Sequence, residues 1–274
     1  MSLLDLSNNQ RSSINEKTFE GLGDLKWLHL ANNRISSISN KVFMALDKLS
    51  ALNLNNNEIS SICNEAFSGL SNLESLNLSN NQTSLIVDKF FAGLKKLKFL
   101  HLNNNKIRLV DKNAINGLNE MRILDFSYNH IQRIEDTFFD LSKLVELNLA
   151  KNQISSINES AFNGLNNLLR LYVDNNKISS ISEKTFSGLN KLVLLDLSNN
   201  LIGMLNDNTF EGSKRLVWIY LNDNRITLID DKAFNEMNFL KWLDLSNNQI
   251  SSTNKISFEQ NIKKGIPFCA VQFN

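Results

Sequence analysis

One short pattern is written about eleven times along this chain of 274 residues, once every 24 residues, and one copy reads LKWLHLANNRISSISNKVF from Leu25 to Phe43. A fixed period of about 20 to 29 residues marks an architecture of stacked units, each too small to bury its apolar face alone. Aligned copies carry leucine-type residues at repeat positions one, four and six and an asparagine at position nine. Isoleucine-type residues follow at eleven and fourteen, and Phe-x-Gly-Leu usually starts at nineteen. The asparagine never fails: Asn9, Asn33, Asn57, Asn81, Asn105, Asn129, Asn152, Asn176, Asn200, Asn224 and Asn248. The phenylalanine series Phe19, Phe43, Phe67, Phe91, Phe138, Phe162, Phe186, Phe210, Phe234 and Phe258 is interrupted only by Ile115.

The Leu-x-x-Leu-x-Leu stretch alternates with period two, so one face of a short strand points inward and the other stays in solvent. Identical units pair such strands only in parallel, about 4.8 Å apart, while the rest of each repeat returns over the outside. An asparagine at the bend both donates and accepts, so it is expected to satisfy buried backbone groups of its own coil and the next. One phenylalanine per coil is expected to stack into an apolar spine.

These residues resemble the leucine-rich repeat family in the 24-residue form typical of animal extracellular proteins, such as the arrays of Toll-like receptors and small proteoglycans. The resemblance covers residues 1 to about 258 and lacks the disulfide-bonded caps of those relatives. It implies an α/β repeat solenoid: a horseshoe with a parallel concave sheet of about eleven strands and a convex side of loops and short 3-10 turns. It also implies a protein ligand on the concave face and no cofactor, and it names no partner, since one scaffold hosts many functions.

Departures from the pattern predict local irregularities. Arg11 stands in an isoleucine slot, where burial of a charge is costly, and is expected to reach water at the open end. Thr83 and Thr253 fill the same slot. The coil from Met121 to Lys143 is one residue short, between Ile134 and Phe138, and Ser213 and Glu236 are expected to loosen the outer rim. The register crosses residues 1–258 without a linker, which reads as one solenoid, followed by a degenerate tail at 259–274. There Ile266 and Phe268 keep the spacing of a strand's inward pair, and Pro267 suits an edge strand.

Net charge is +1 and the pI near 7.7, which gives no electrostatic footprint for nucleic acid or an anionic membrane. No apolar run reaches the length of a membrane span, and Met1 leads straight into the first repeat. The two cysteines, Cys63 and Cys269, are expected roughly 40 Å apart at one strand spacing per coil, beyond disulfide reach. The setting is read as extracellular or cell-surface if the chain is a piece of a longer protein, and cytoplasmic if it is complete as written.

Catalysis has little support. GxxxxGK[ST], CxxC and HExxH are all missing. The best constellation, Asp125 beside His101 with Ser79 one strand further back, sits on open sheet without oxyanion donors. Of three glycosylation sequons, at Asn77, Asn81 and Asn158, only Asn158 is expected on the outer side.

Function is sought at the outward strand positions three, five, seven and eight. Position three holds all three tryptophans, Trp27, Trp218 and Trp242, with Phe99, Glu146 and Arg170. Position five holds His29, His101, Tyr172 and Tyr220. Aromatics and arginine dominate binding hot spots, so these ten residues are the candidate contacts. Trp218, Tyr220 and Trp242 are expected to form one aromatic patch, unless the tail covers them, and Glu146 and Arg170 a cross-strand ion pair. Two readings follow: a protein-binding recognition module from a receptor ectodomain, adhesion protein or secreted binding protein, or an intracellular scaffold or adaptor.

Overall fold

The computed structural model describes residues 1–115, 117–135, 141–234, 237–252, 254 and 270–273. The chain divides into two compact units, Met1–Ile131 and Gln132–Asn274. Twelve strands of three residues each recur along it. In the first unit they are Leu3–Asp5, Trp27–His29, Ala51–Asn53, Ser75–Asn77, Phe99–His101 and Ile123–Asp125. In the second they are Glu146–Asn148, Arg170–Tyr172, Leu194–Asp196, Trp218–Tyr220, Trp242–Asp244 and Ala270–Gln272.

Within each unit neighbouring strands pair in parallel, with Trp27 opposite Ala51 in one and Trp218 opposite Trp242 in the other. That offset equals the sequence period, so every repeat position stacks on its own kind. Positions four and six point inward, and Leu28, Leu30, Leu195 and Leu197 are fully enclosed. The last strand, Ala270–Gln272, sets Val271 opposite Leu243. Val271 stands five residues beyond Ile266, the expected start of the inward pair, and Ile266, Pro267 and Phe268 fall outside the described residues.

Each coil bends after its strand, and two asparagines in a row shape that bend differently. Position eight is left-handed throughout, from Asn8 at φ 57° to Asn247 at φ 55°, a region that asparagine tolerates better than most side chains. Position nine is the buried ladder. Asn57 Nδ2 donates to the carbonyls of Leu54 and Leu30 at 3.1 and 2.9 Å, while its Oδ1 accepts the Ile35 N–H at 3.0 Å. Leu30 and Ile35 belong to the preceding coil, which corrects the expected link to the next. The strand before the bend runs toward the asparagine, so its amide reaches back to groups its predecessor left open.

Beyond the bend a second, two-residue ladder forms in places, such as Leu85–Ile86 with Leu109–Val110 and Met204–Leu205 with Leu228–Ile229. The pairing Arg133 to Ser156 spans 23 residues, not 24, which locates the missing residue after Ile134; residues 136–140 lie outside the described set. Among the described residues the return path runs through hydrogen-bonded turns and includes a four-residue helix, Lys112–Ile115, at the coil where Ile115 replaces the spine phenylalanine. Elsewhere the described rings stack, with Phe234 tilted against Phe210. Centroids are 5.8, 6.2 and 6.5 Å apart along Phe19, Phe43, Phe67 and Phe91, and 6.4, 6.1 and 5.3 Å along Phe162, Phe186, Phe210 and Phe234. Phe138 and Phe258 lie outside the described residues.

At some coils, Gly69, Gly93 and Gly212 among them, the glycine after the spine phenylalanine lets coils touch backbone to backbone. A Cβ on Gly69 would sit 2.6 Å from the Met44 Cα, closer than van der Waals contact allows. Arg11 is exposed, as its charge requires. Thr83 is buried but satisfied, its hydroxyl donating to the Ile59 carbonyl at 3.3 Å. Ser213 is fully buried and donates to the Phe186 carbonyl at 3.3 Å. It therefore ties two coils together where loosening was expected. Thr253 and Glu236 lie outside the described residues.

Candidate ligand-binding face

The outward side chains of the strands divide into those the fold uses and those it leaves over. At position five an Asp or Asn turns its oxygen back onto the N–H two residues later, closing the bend. Asp5 does so to Ser7 at 2.8 Å, Asn77 to Ser79 at 3.0 Å, Asp125 to Ser127 at 2.9 Å, Asp196 to Ser198 at 3.0 Å and Asp244 to Ser246 at 3.0 Å. Asn53 and Asn148 make the same bond. Bonds from Ser7, backbone first and side chain second, hold the Asp5 carboxyl below the ordinary carboxylate range. His29, His101, Tyr172 and Tyr220 carry rings in place of that short arm. Their turns close without them, and their side chains remain on the face.

In the first unit Trp27 is 41% exposed and His29 half-buried, opposite Leu3 and Asp5 on one side and Ala51 and Asn53 on the other. Phe99 and His101 are half-buried beside Ile123 and Asp125. The strands Ala51–Asn53 and Ser75–Asn77 separate these two groups. They stand about 14 Å apart at three strand spacings and do not form one patch. Ser79 gives its hydroxyl to Asn77 at 2.7 Å, so it is not poised on His101.

In the second unit the candidates converge. Arg170 Nε donates to Glu146 Oε2 at 2.6 Å across neighbouring strands. Tyr172 stands next to them, and burial, reinforced by the Glu146 carboxylate, raises its phenol above the ordinary value. One strand on are Leu194 and Asp196; burial pushes the Asp196 carboxyl up, Ser198 pulls it down, and repulsion from Asp174 and Asp244 adds to the rise. Trp218, Tyr220 and Trp242 follow on the next two strands. Trp218 is 40% exposed. Trp242 is half-buried, and its indole N–H is enclosed without a hydrogen-bond partner among the described residues.

One further face residue is missing from the ten candidate contacts. Tyr128 occupies position eight, at φ 55° and 48% exposed, where most coils place asparagine. Its signal was the broken Asn-Asn doublet, Tyr128-Asn129, because a tyrosine in the left-handed region carries a conformational cost that asparagine largely avoids. Cys63 is exposed and unpaired, whereas Cys269 lies outside the described residues. Among the described residues no group of His, Cys, Asp or Glu side chains could hold a metal ion, and no helix is long and apolar enough to cross a membrane.

The repeat geometry defines a parallel-sheet solenoid whose sheet has an open face. The family description "Leucine rich repeat" matches residues 1–59, 47–107, 100–154, 122–178, 142–202, 167–226, 191–250 and 214–261, and the chain belongs to that family. It is similar to a chain of the TLR13-ssRNA13 complex, with a TM-score of 0.84 and 27% identity over 99% of this chain and 42% of that one. A chain of the Drosophila Toll–Spatzle complex gives 0.87 and 21% identity over 100% of this chain and 37% of that one. An internalin of Listeria monocytogenes gives 0.68 and 22% over 100% and 82%. The last two likenesses show the fold alone. The chain thus spans about two fifths of the two receptor-complex chains. No curated protein matches it significantly in sequence.

Proposed function

We propose that this chain is a protein-binding recognition module, part of a receptor ectodomain or of an adhesion or secreted binding protein, which holds its ligand on the open sheet face. The observation that carries the reading is the set of rings at outward positions that the fold does not use. They are Trp27, His29, Phe99 and His101 in the first unit and Tyr172, Trp218, Tyr220 and Trp242 in the second, with Glu146 and Arg170 alongside. Large rings held on rigid strands bury area at little entropic cost. TLR13 is seen with ssRNA13 and Toll with Spatzle. A protein is the better fit here, because outward positions three, five, seven and eight carry no Lys or Arg in the first unit and, in the second, only Arg170, already paired, and Lys151. A polyanion binds chiefly through such cations. An enzyme is disfavoured by the same openness.

The test is capture of a partner on the immobilised chain, repeated with Trp218, Tyr220 and Trp242 all changed to Ala and, separately, with the turn-side Lys17, Lys95 and Lys184 changed to Ala. The aromatic triple is expected to abolish capture and the lysine triple to leave it. The opposite pattern would place the ligand on the other side of the coils.

A further inference from the structure

The open sheet face of the second unit reads further than a generic protein-binding surface. We propose, building on the recognition reading, that this face binds a basic protein segment, with Arg or Lys side chains laid over Trp218 and Tyr220 and flanked by aspartates.

Neighbouring strands bring Tyr172, Asp196, Tyr220 and Asp244 into one row in register. At about 4.8 Å per strand, ring and carboxylate alternate over roughly 14 Å. Trp218 and Trp242 flank the row on one side, and Asp174 and Asp223, at positions seven and eight of their coils, flank it on the other. Cations are scarce on this face. Arg170 is held by Glu146 at 2.6 Å, and Lys151 belongs to the coil of Glu146, at the opposite end from Tyr220.

Hydrogen bonds from amides fix the aspartates that flank the row. Asp223 accepts from the amides of Asn222 and Asn247 at 2.7 and 2.8 Å, and Asp174 accepts from Asn175 at 2.8 Å. All of these donors are neutral. The negative charge is therefore shaped but not cancelled, and burial first, with repulsion from Asp174 and Asp244 adding to it, acts unfavourably on the Asp196 carboxylate. A guanidinium or ammonium group would relieve that repulsion and find the electron-rich face of an indole beside it, the ring on which cation–π attraction is strongest. Phosphate would meet the reverse. The first unit has no equivalent: its outward positions hold Asp5 and Asp125 at separate places among serines and asparagines.

Binding of a labelled peptide of Arg-Gly-Gly repeats to the whole chain tests the assignment against its citrulline counterpart, which is alike in size but uncharged. The arginine peptide should bind at least about tenfold more tightly. Trp218→Ala with Tyr220→Ala should remove that preference. Asp174→Asn with Asp223→Asn should weaken binding severalfold and flatten its salt dependence, and this pair decides the matter should the aromatic variant misfold. Glu58→Gln with Asp88→Asn, in the first unit and off its sheet face, should change neither.

Equal binding of the two peptides overturns the proposal. So does an equal effect of the off-face pair, which would mean diffuse attraction, or a uridine oligonucleotide that binds as tightly as the arginine peptide. Should the aromatic triple abolish capture of a partner while neither peptide binds, the recognition module stands and its basic ligand does not.

Discussion

The two units build the same coil and dress it differently. In both, inward leucines, ladder asparagines and stacked phenylalanines repeat almost without variation. On the open face the first unit shows mainly serine and asparagine, with Trp27 and His29 set apart from Phe99 and His101, whereas the second gathers Tyr172, Trp218, Tyr220 and Trp242 on neighbouring strands. An inward side chain must match the coil on either side, so it has little freedom to diverge. An outward one contacts only its neighbours' flanks and solvent. The difference between the units is therefore where recognition is to be sought, and their sameness is what holds the face rigid.

That sameness is the first thing to break. Phe43 and Phe186 each lie between two stacked rings, so Phe43→Ala and Phe186→Ala should each cost about 3 to 5 kcal/mol. Urea unfolding of the two variants should show matching losses, and a marked inequality would mean that the spines are not equivalent. Next come the ladders. Asn57→Ala and Asn200→Ala each strip buried carbonyls and one N–H of their partner, at about 1 to 3 kcal/mol, again alike in both units.

The faces should then part company. Trp218→Ala should weaken partner binding by about 2 kcal/mol, or roughly thirtyfold, with little change in melting temperature, while Trp27→Ala, with no second tryptophan beside it, should cost binding much less. Equal losses in isothermal titration would remove the asymmetry. A smaller effect, of opposite sign, is expected for Tyr128→Asn. It should stabilise by up to about 1 kcal/mol, because asparagine suits the left-handed bend.

The smallest effect is on pH dependence. Asp196 has a raised carboxyl, so the folded chain holds that proton to higher pH than the unfolded chain. Its contribution to stability is therefore fullest below the ordinary aspartate range and is lost as pH rises through the raised value. Asp196→Asn keeps an oxygen for the Ser198 bond and should flatten this part of the stability profile.

Much of the scaffold was legible in the sequence, because a period of 24 leaves one way to stack identical coils. The spine, the parallel register and the inward leucines all follow from it. The direction of the asparagine bridge did not, since a repeat pattern is the same read toward either neighbour and only the path of the strand into the bend decides. Position five was half legible. Asp196 and Tyr172 are both outward, but an aspartate oxygen reaches the N–H two residues on and a tyrosine ring does not, so one closes a turn and the other stays on the face. Ser213 misled for a related reason: as a lone polar residue in an apolar slot it reads as a flaw until the Phe186 carbonyl is seen within reach.

Hydroxyl-radical footprinting of the free and partner-bound chain tests the central claim most directly, because it reads each ring in place without mutation. Protection concentrated at Trp218, Tyr220 and Tyr172, with Leu85, Leu109, Met204 and Leu228 on the second ladders unchanged, is the expected result. Protection of those four aliphatic side chains, all about half exposed, with Trp218 left fully reactive, would contradict it and move recognition off the sheet face.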